Sequence, residues 1–213
     1  VPCFDYNRAV PAVHAVRHGG GTVLDINEAI RTRHSVRQFR SDPVDRTVIE
    51  RVLAAAAAAP SARNEQPWDF YVTTGDTRLE LGRVVAQTTV YLREYIDSLG
   101  PEGMERAVSW YSSLGDAPVL IAVAAPESDD EFTSANRLLS VGGAIENLLL
   151  AATAEGLGAC AFTFSYWVKS ELGKTLGLPD GTSVVCVIAL GWPAPGVESP
   201  RATRRSDVAV WLD

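Results

Sequence analysis

Residues 134–164, SANRLLSVGGAIENLLLAATAEGLGACAFTF, decide which fold this chain adopts. Within them GLGACA (156–161) has the spacing G-x-G-x-x-A. A dinucleotide fingerprint must follow a strand and open a helix, because the phosphates sit on that helix's N-terminus. Here the order is reversed. Apolar residues recur at helical spacing before the glycines, and a strand-like run, ACAFTF (159–164), follows them. The spacing predicts a long central helix over 134–155, a C-terminal cap at Gly156 and a strand beyond it. A Rossmann fold is set aside.

Moving outward, Asp25 reads as the cap of a short helix, INEAIRTR, followed by an extended piece, HSVRQF. Asp45 caps a second helix whose Val48, Ile49, Val52 and Leu53 share one face; Pro60 ends it, and PSARNEQP (60–67) is a loop. Strands are expected at 69–74, 118–125 and 183–192, with a mostly helical stretch over 77–113 broken near Gly100-Pro101 and a helix over 166–177. Helices and strands mix without regular βαβ alternation. The expected class is α+β: a small mixed sheet with helices on both faces. Residues 1–21 end in three glycines and read as a flexible tail; 22–213 read as one domain.

Composition narrows the function. With 46% hydrophobic and 21% charged residues, the chain has the balance of a folded globular protein rather than a disordered one. A net charge of −7 argues against nucleic acid as a partner, and no apolar run reaches membrane-spanning length. Three cysteines without CxxC spacing point to a reducing compartment, read as the cytoplasm. His14 and His18 lack a third ligand, so no metal is expected. P-loop, G-x-S-x-G and H-E-x-x-H motifs are absent.

Two polar groupings remain. In an extended Arg33-His34-Ser35-Val36-Arg37, residues 33, 35 and 37 share one side. Two guanidiniums and a hydroxyl suit a phosphate monoester, although a solvated basic stripe has the same sequence. Arg201, Arg204 and Arg205 form a second basic cluster. In the proline-bounded loop, Asn64 and Gln66 each offer donor and acceptor, as the edge of a heteroaromatic ring requires; ordinary loop amides that cap local backbone are the alternative.

Taken in order, R-H-S-V-R-x-F, P-V, A-A-P-S-A-x-N-x-Q-P-W, E-N-L-L-L-A-A-x-A-x-G-L-G and a late R-R strongly resemble the nitroreductase family of FMN-dependent oxidoreductases. The resemblance covers about residues 24 to 213. It implies a nitroreductase-like α+β sandwich, an intertwined homodimer and FMN at the dimer interface. It implies that Arg33, His34, Ser35 and Arg37 lie along the FMN phosphate and ribityl chain. Pro60, Ser61, Asn64 and Gln66 then reach the flavin from the other subunit, and Arg204 and Arg205 close on the phosphate. The strand after GLG, Cys160-Ala161-Phe162-Thr163-Phe164, matches the segment whose backbone N–H groups approach flavin N5. Ala161 and Phe164 depart from the family there, where many members carry Pro or Trp, and Gly.

The implied chemistry is ping-pong hydride transfer from NADH or NADPH to a nitroaromatic, quinone or enone-like acceptor, with the flavin doing the redox work. No catalytic side chain is assigned. Two other functions fit the same residues: a flavin-dependent dehydrogenase or oxidase that installs a double bond in a natural product or peptide-derived substrate, and a non-catalytic flavin-binding protein. Tyr91, Tyr95, Trp110 and Tyr111 are candidates for a lid, or for core and dimer contacts. The predicted central helix is apolar around most of its circumference, and VAVWLD (208–213) has no hairpin partner close in sequence. Both favour a dimer.

Overall fold

Acidic caps set where the main helices begin. The computed structural model describes residues 25–95, 100–196 and 208–212. The N-terminal tail and the cluster Arg201, Arg204 and Arg205 lie outside the described residues. Helix α1 (Ile26–Thr32) starts where the Asp25 carboxylate accepts from the Glu28 N–H at 2.9 Å. Helix α2 (Arg46–Ala57) starts where Asp45 accepts from the Thr47 N–H at 3.0 Å. Between them run the extended residues 33–42.

Strand β1 (Asp69–Thr73) leads to helices α3 (Gly75–Ala86), α4 (Thr89–Tyr95) and α5 (Gly100–Ser113). The helical stretch breaks earlier than expected. At the end of α3 the Thr88 and Thr89 hydroxyls donate to the carbonyls of Val85 and Ala86, each at 2.8 Å, and divert the chain. Strand β2 (Val119–Pro126) follows, then helix α6 (Glu131–Ala154). This central helix begins three residues before its apolar periodicity does, because Asp130 caps it by accepting from the Thr133 N–H at 2.8 Å. It ends at Gly156, φ +78°, where the Leu157 N–H donates to the Ala152 carbonyl at 2.8 Å and the Gly156 N–H to Thr153 at 3.0 Å. That is the Schellman closure that a left-handed glycine permits. The chain then enters β3 (Gly158–Phe162), as the order of helix, glycines and strand implied.

Strand β3 stops two residues sooner than its apolar run. Thr163 turns the chain (φ −103°, ψ −5°), and the Tyr166 N–H closes onto the Thr163 carbonyl in a 3-10 turn over Phe164–Val168. Helix α7 therefore spans only Lys169–Leu176 before strand β4 (Thr182–Gly191).

The sheet order is β1-β2-β4-β3, and all three ladders are antiparallel. The expected mixed sheet reduces to one parallel bridge, Ser35 to Ala159, because the chain leaves β3 after Val36 to bond elsewhere. Alternate residues of β2 supply two cores. Val119, Ile121 and Val123 face Val52 and Ala56 of α2 and Leu148 and Ala152 of α6. Leu120 and Ala122 face Leu81 and Val85 of α3 and Leu172 of α7 on the other side. Helices thus cover both faces of the sheet. Among the described residues no helix is long and apolar enough to cross a membrane.

Candidate functional site

The segment after α1 is fixed by backbone bonds to three different parts of the fold. The Val36 N–H donates to Ala159 of β3 at 3.0 Å, Phe39 to Gly115 at 2.9 Å, and Arg40 to Trp192 at 2.9 Å; the Ala194 N–H donates back to Gln38 at 3.0 Å. A side chain supplies a further bond: the Trp110 indole N–H of α5 donates to the Arg37 carbonyl at 2.9 Å. Two glycines allow the close approach. A Cβ on Gly158 would meet Val36, and one on Gly115 would collide with the Arg37 carbonyl. With its peptide groups so engaged, the segment presents its side chains from a fixed frame.

Ser35 and Arg37 converge on Cys160 of β3. Burial pushes the Cys160 thiol up, against the opposing pull of the Arg37 guanidinium and a Ser35 hydrogen bond. Arg37 also reaches the Ser35 carbonyl at a long 3.5 Å. Arg33 turns instead towards α6, where its Nε lies 2.8 Å from a Glu146 carboxylate oxygen. The pair is close but not aligned as a hydrogen bond, so among the described residues the buried Arg33 Nε–H has an ion-pair partner and no hydrogen-bond acceptor. His34 Nδ1 lies 3.0 Å from the Thr32 carbonyl, which can only accept; Nδ1 therefore carries the proton.

Arg37 borders an open cleft of ≈ 1590 Å³ between α5 and the end of β3. Its wall is aromatic. Trp110 and Tyr111 meet Phe162 edge-to-face at 5.2 and 5.7 Å, and Tyr111 meets Phe164 at 5.9 Å. Thr163 is exposed at the cleft. Burial, with Cys160 nearby, pushes the Tyr111 phenol up to about 12 despite Arg37, so Tyr111 stays a neutral donor over the working pH range. The aromatics on α5 thus belong to both readings the sequence allowed: they pack on the core and line the cleft.

The loop after α2 lies apart. Pro60, Ser61, Asn64 and Gln66 do not line the cleft. Instead the loop sits on the N-terminal half of α6, with the Ala62 N–H 3.3 Å from Ser140 Oγ and the Gln66 N–H donating to Ser61 Oγ at 2.9 Å. Arg63, Asn64 and Gln66 all have left-handed backbone, at φ 55°, 56° and 50°. Each such residue costs on the order of 1–3 kcal/mol, tolerated best by asparagine. The structure therefore brings Arg37, Phe162 and Thr163 together at the cleft, sets Ser35 beside them on β3 at Ala159 and Cys160, and leaves the loop residues elsewhere on the same subunit. The sequence pattern held Glu146 and Cys160 within its motifs but did not foresee the Arg33–Glu146 pair, the contact of Ser35 with Cys160 or the Trp110 bond to Arg37. Each depends on a contact between segments distant in sequence, and no local spacing encodes it.

Comparison with known proteins places this geometry. The model of the Nitroreductase family matches residues 30–192. The chain is 29% identical over 208 residues to a nitrobenzene nitroreductase of Ectopseudomonas oleovorans, covering 78% of this chain and 86% of that protein. It is 31% identical to a 5,6-dimethylbenzimidazole synthase of Rhodospirillum rubrum, covering 76% and 78% respectively. A crystal structure of a mutant FMN and NADPH-dependent nitroreductase from Sphigopyxis sp. strain HMH superposes with a TM-score of 0.71 at 25% identity, covering 88% of this chain and 99% of that one.

Proposed function

This chain belongs to the nitroreductase family, and from that premise we propose that it is an FMN-dependent oxidoreductase that passes electrons from NADH or NADPH to a nitroaromatic, quinone or enone-like small molecule. The observation that carries the reading is the convergence of Ser35 and Arg37 on β3 at the edge of an aromatic-walled cleft. The donors fit a phosphate monoester: among the described residues the Arg33 Nε–H is buried without an aligned acceptor, and the Arg37 guanidinium reaches the Ser35 carbonyl at a long 3.5 Å. No dinucleotide fingerprint accompanies them, which favours FMN over FAD.

FMN, when bound, supplies hydride acceptance from the nicotinamide and donation to the acceptor. The chain's own residues bind and orient. Arg33, His34, Ser35 and Arg37 hold the phosphate and ribityl end. Phe162 and Thr163 bring the end of β3 to the ring, and Trp110 and Tyr111 exclude water from one side of the cleft and offer a neutral hydroxyl. The loop residues lie apart from this cleft. We assign Pro60, Ser61, Asn64 and Gln66 to the flavin of a second copy in a homodimer, and Arg204 and Arg205 to the phosphate. Residues 22–213 form the FMN-binding unit, with 1–21 outside it.

The test is the absorption spectrum of the purified protein, followed by anaerobic NADH or NADPH and then an acceptor. The expected result is released FMN, bleaching by a reduced nicotinamide and recovery of colour with nitrobenzene or a quinone. Released FAD, no flavin, or a flavin that neither nucleotide bleaches overturns the reading. Progressive loss of FMN itself during aerobic turnover also overturns the reading, because the flavin would then be consumed and not recycled.

A further inference from the structure

The loop over 60–67 holds three non-glycine residues in left-handed backbone within four positions, and one arginine ties it down. Arg137 of α6 donates to the Glu65 carboxylate from Nε at 2.8 Å and from Nη2 at 2.7 Å. Its remaining nitrogen, Nη1, donates to the carbonyls of Glu127 at 3.0 Å and Pro126 at 3.3 Å, where β2 ends. One planar guanidinium therefore bridges the strained loop, the central helix and the sheet. Lysine has no such fork of donors. The pair is mostly buried, with the side chains 19% and 29% exposed. Glu65 lies between Asn64 and Gln66, both left-handed.

We infer that Arg137 and Glu65 are positioning residues for the flavin site: their ion pair holds the loop in the conformation in which Ser61, Asn64 and Gln66 meet the flavin. The inference rests on the proposed assignment of that loop to FMN. Strained backbone persists only where surrounding contacts over-determine it. Together with the Ala62 bond to Ser140, the Arg137–Glu65 pair tethers this loop to α6, and Glu65 sits between the two residues whose amides would face the ring. Neither Arg137 nor Glu65 touches the cleft beside Arg37, so they act through the loop and not on the reacting atoms.

The test uses the full chain with Glu65→Ala, Arg137→Met, the double variant and Glu65→Gln, and reads two quantities. The first is peptide-level hydrogen exchange over 60–67 at saturating FMN. The second is the FMN dissociation constant. Expected are faster exchange confined to the loop and FMN binding weakened about 10- to 100-fold in each single variant. The double variant is no worse than the worse single, and Glu65→Gln, which keeps an acceptor for the guanidinium, recovers most of the affinity. Unchanged loop exchange overturns the tether. Faster exchange with unchanged FMN affinity overturns its link to the flavin. Failure of the wild-type chain to bind FMN is seen before any variant is compared, and it overturns the proposed function itself.

Discussion

Val36 fills the space that a side chain on Gly158 would need. A Cβ built on Gly158 would lie 2.7 Å from the Val36 Cβ and from one of its methyls, closer than real side chains approach. The two residues lock the extended segment onto the first residue of β3, one position from the parallel bridge between Ser35 and Ala159. The glycines of GLG thus have separate tasks. Gly156 closes the helix with positive φ, and Gly158 makes room for the segment that carries Ser35 and Arg37.

Gly158→Ala is therefore expected to destabilise the protein by roughly 1–3 kcal/mol, the scale of overpacking a close contact. Val36→Ala costs stability by itself and removes the two clashing methyls but keeps the Cβ at 2.7 Å, so the double variant should recover part of the Gly158→Ala penalty and be less destabilised than the sum of the singles. Urea unfolding of the four proteins measures the coupling. Additive effects would show that Val36 and Gly158 do not bear on each other.

Arg37→Ala should weaken FMN binding by ~1.5–3 kcal/mol, about 10- to 150-fold, the scale of a lost charged hydrogen bond. The fold should survive, because the bond from Trp110 goes to the Arg37 carbonyl and the segment's other bonds go to backbone. A flavin fluorescence titration reads the affinity and circular dichroism the fold. An unchanged dissociation constant would return Arg37 to a solvated basic stripe.

How much of this was legible beforehand follows from which signals are local. The reversal of helix and strand around GLGACA excluded a Rossmann fold, and the turn at Gly156 has the geometry that reading needs. Asp25 and Asp45 were readable as caps because an acceptor just before an apolar-periodic run is a local signature. The start of α6 was not: apolar spacing begins only inside the helix, whereas its cap lies in the acidic turn at Asp130. The 3-10 turn after Thr163 was missed because Phe164, Tyr166 and Trp167 carry no periodicity that distinguishes a turn from a helix. The site divides in the same way. Residue types at 33–37 named an anion site, but the engagement of Arg33 with Glu146 and of Ser35 with Cys160 depends on tertiary packing.

Alkaline pH should destabilise the fold through its buried thiols. Burial pushes Cys186 up to about 12 from 9.0, so the native state keeps a proton that the unfolded chain releases. Stability from this group is fully present below about pH 9 and is lost as pH rises towards 12. The slope approaches on the order of 1.4 kcal/mol per pH unit where only the unfolded state is ionised. Cys160, also pushed up by burial, acts in the same direction. Unfolding free energies between pH 8 and 11 should fall less steeply in Cys186→Ala than in the wild type. Parallel curves would show that Cys186 does not contribute.

The surface of α6 argues for a second copy of the chain. Phe132, Leu138 and Leu139 are 76%, 52% and 78% exposed, an apolar strip that a lone subunit would leave in water. Gly142, in the middle of the same helix, has nothing within 4 Å of the position its Cβ would take, and Gly143 meets only Ala59 at 4.0 Å. Glycine costs roughly 1 kcal/mol against alanine in a helix, and among the described residues nothing packs on Gly142 to explain it within one subunit. Close approach of another backbone would explain it. The apolar residues near the C-terminus are as exposed, with Trp211 at 84%. A homodimer packed along α6 would bury the exposed strip and would serve the proposed assignment of Ser61 and Asn64 to the other subunit's flavin. Leu139→Arg should therefore shift the protein from a dimer to a species near the 22.9 kDa of one chain, with loss of FMN. Sedimentation equilibrium across a wide concentration range, flavin absorbance recorded alongside, decides it. A wild-type chain that is folded and FMN-loaded at 22.9 kDa sinks the dimer, and with it the assignment of Ser61 and Asn64 to a partner's flavin.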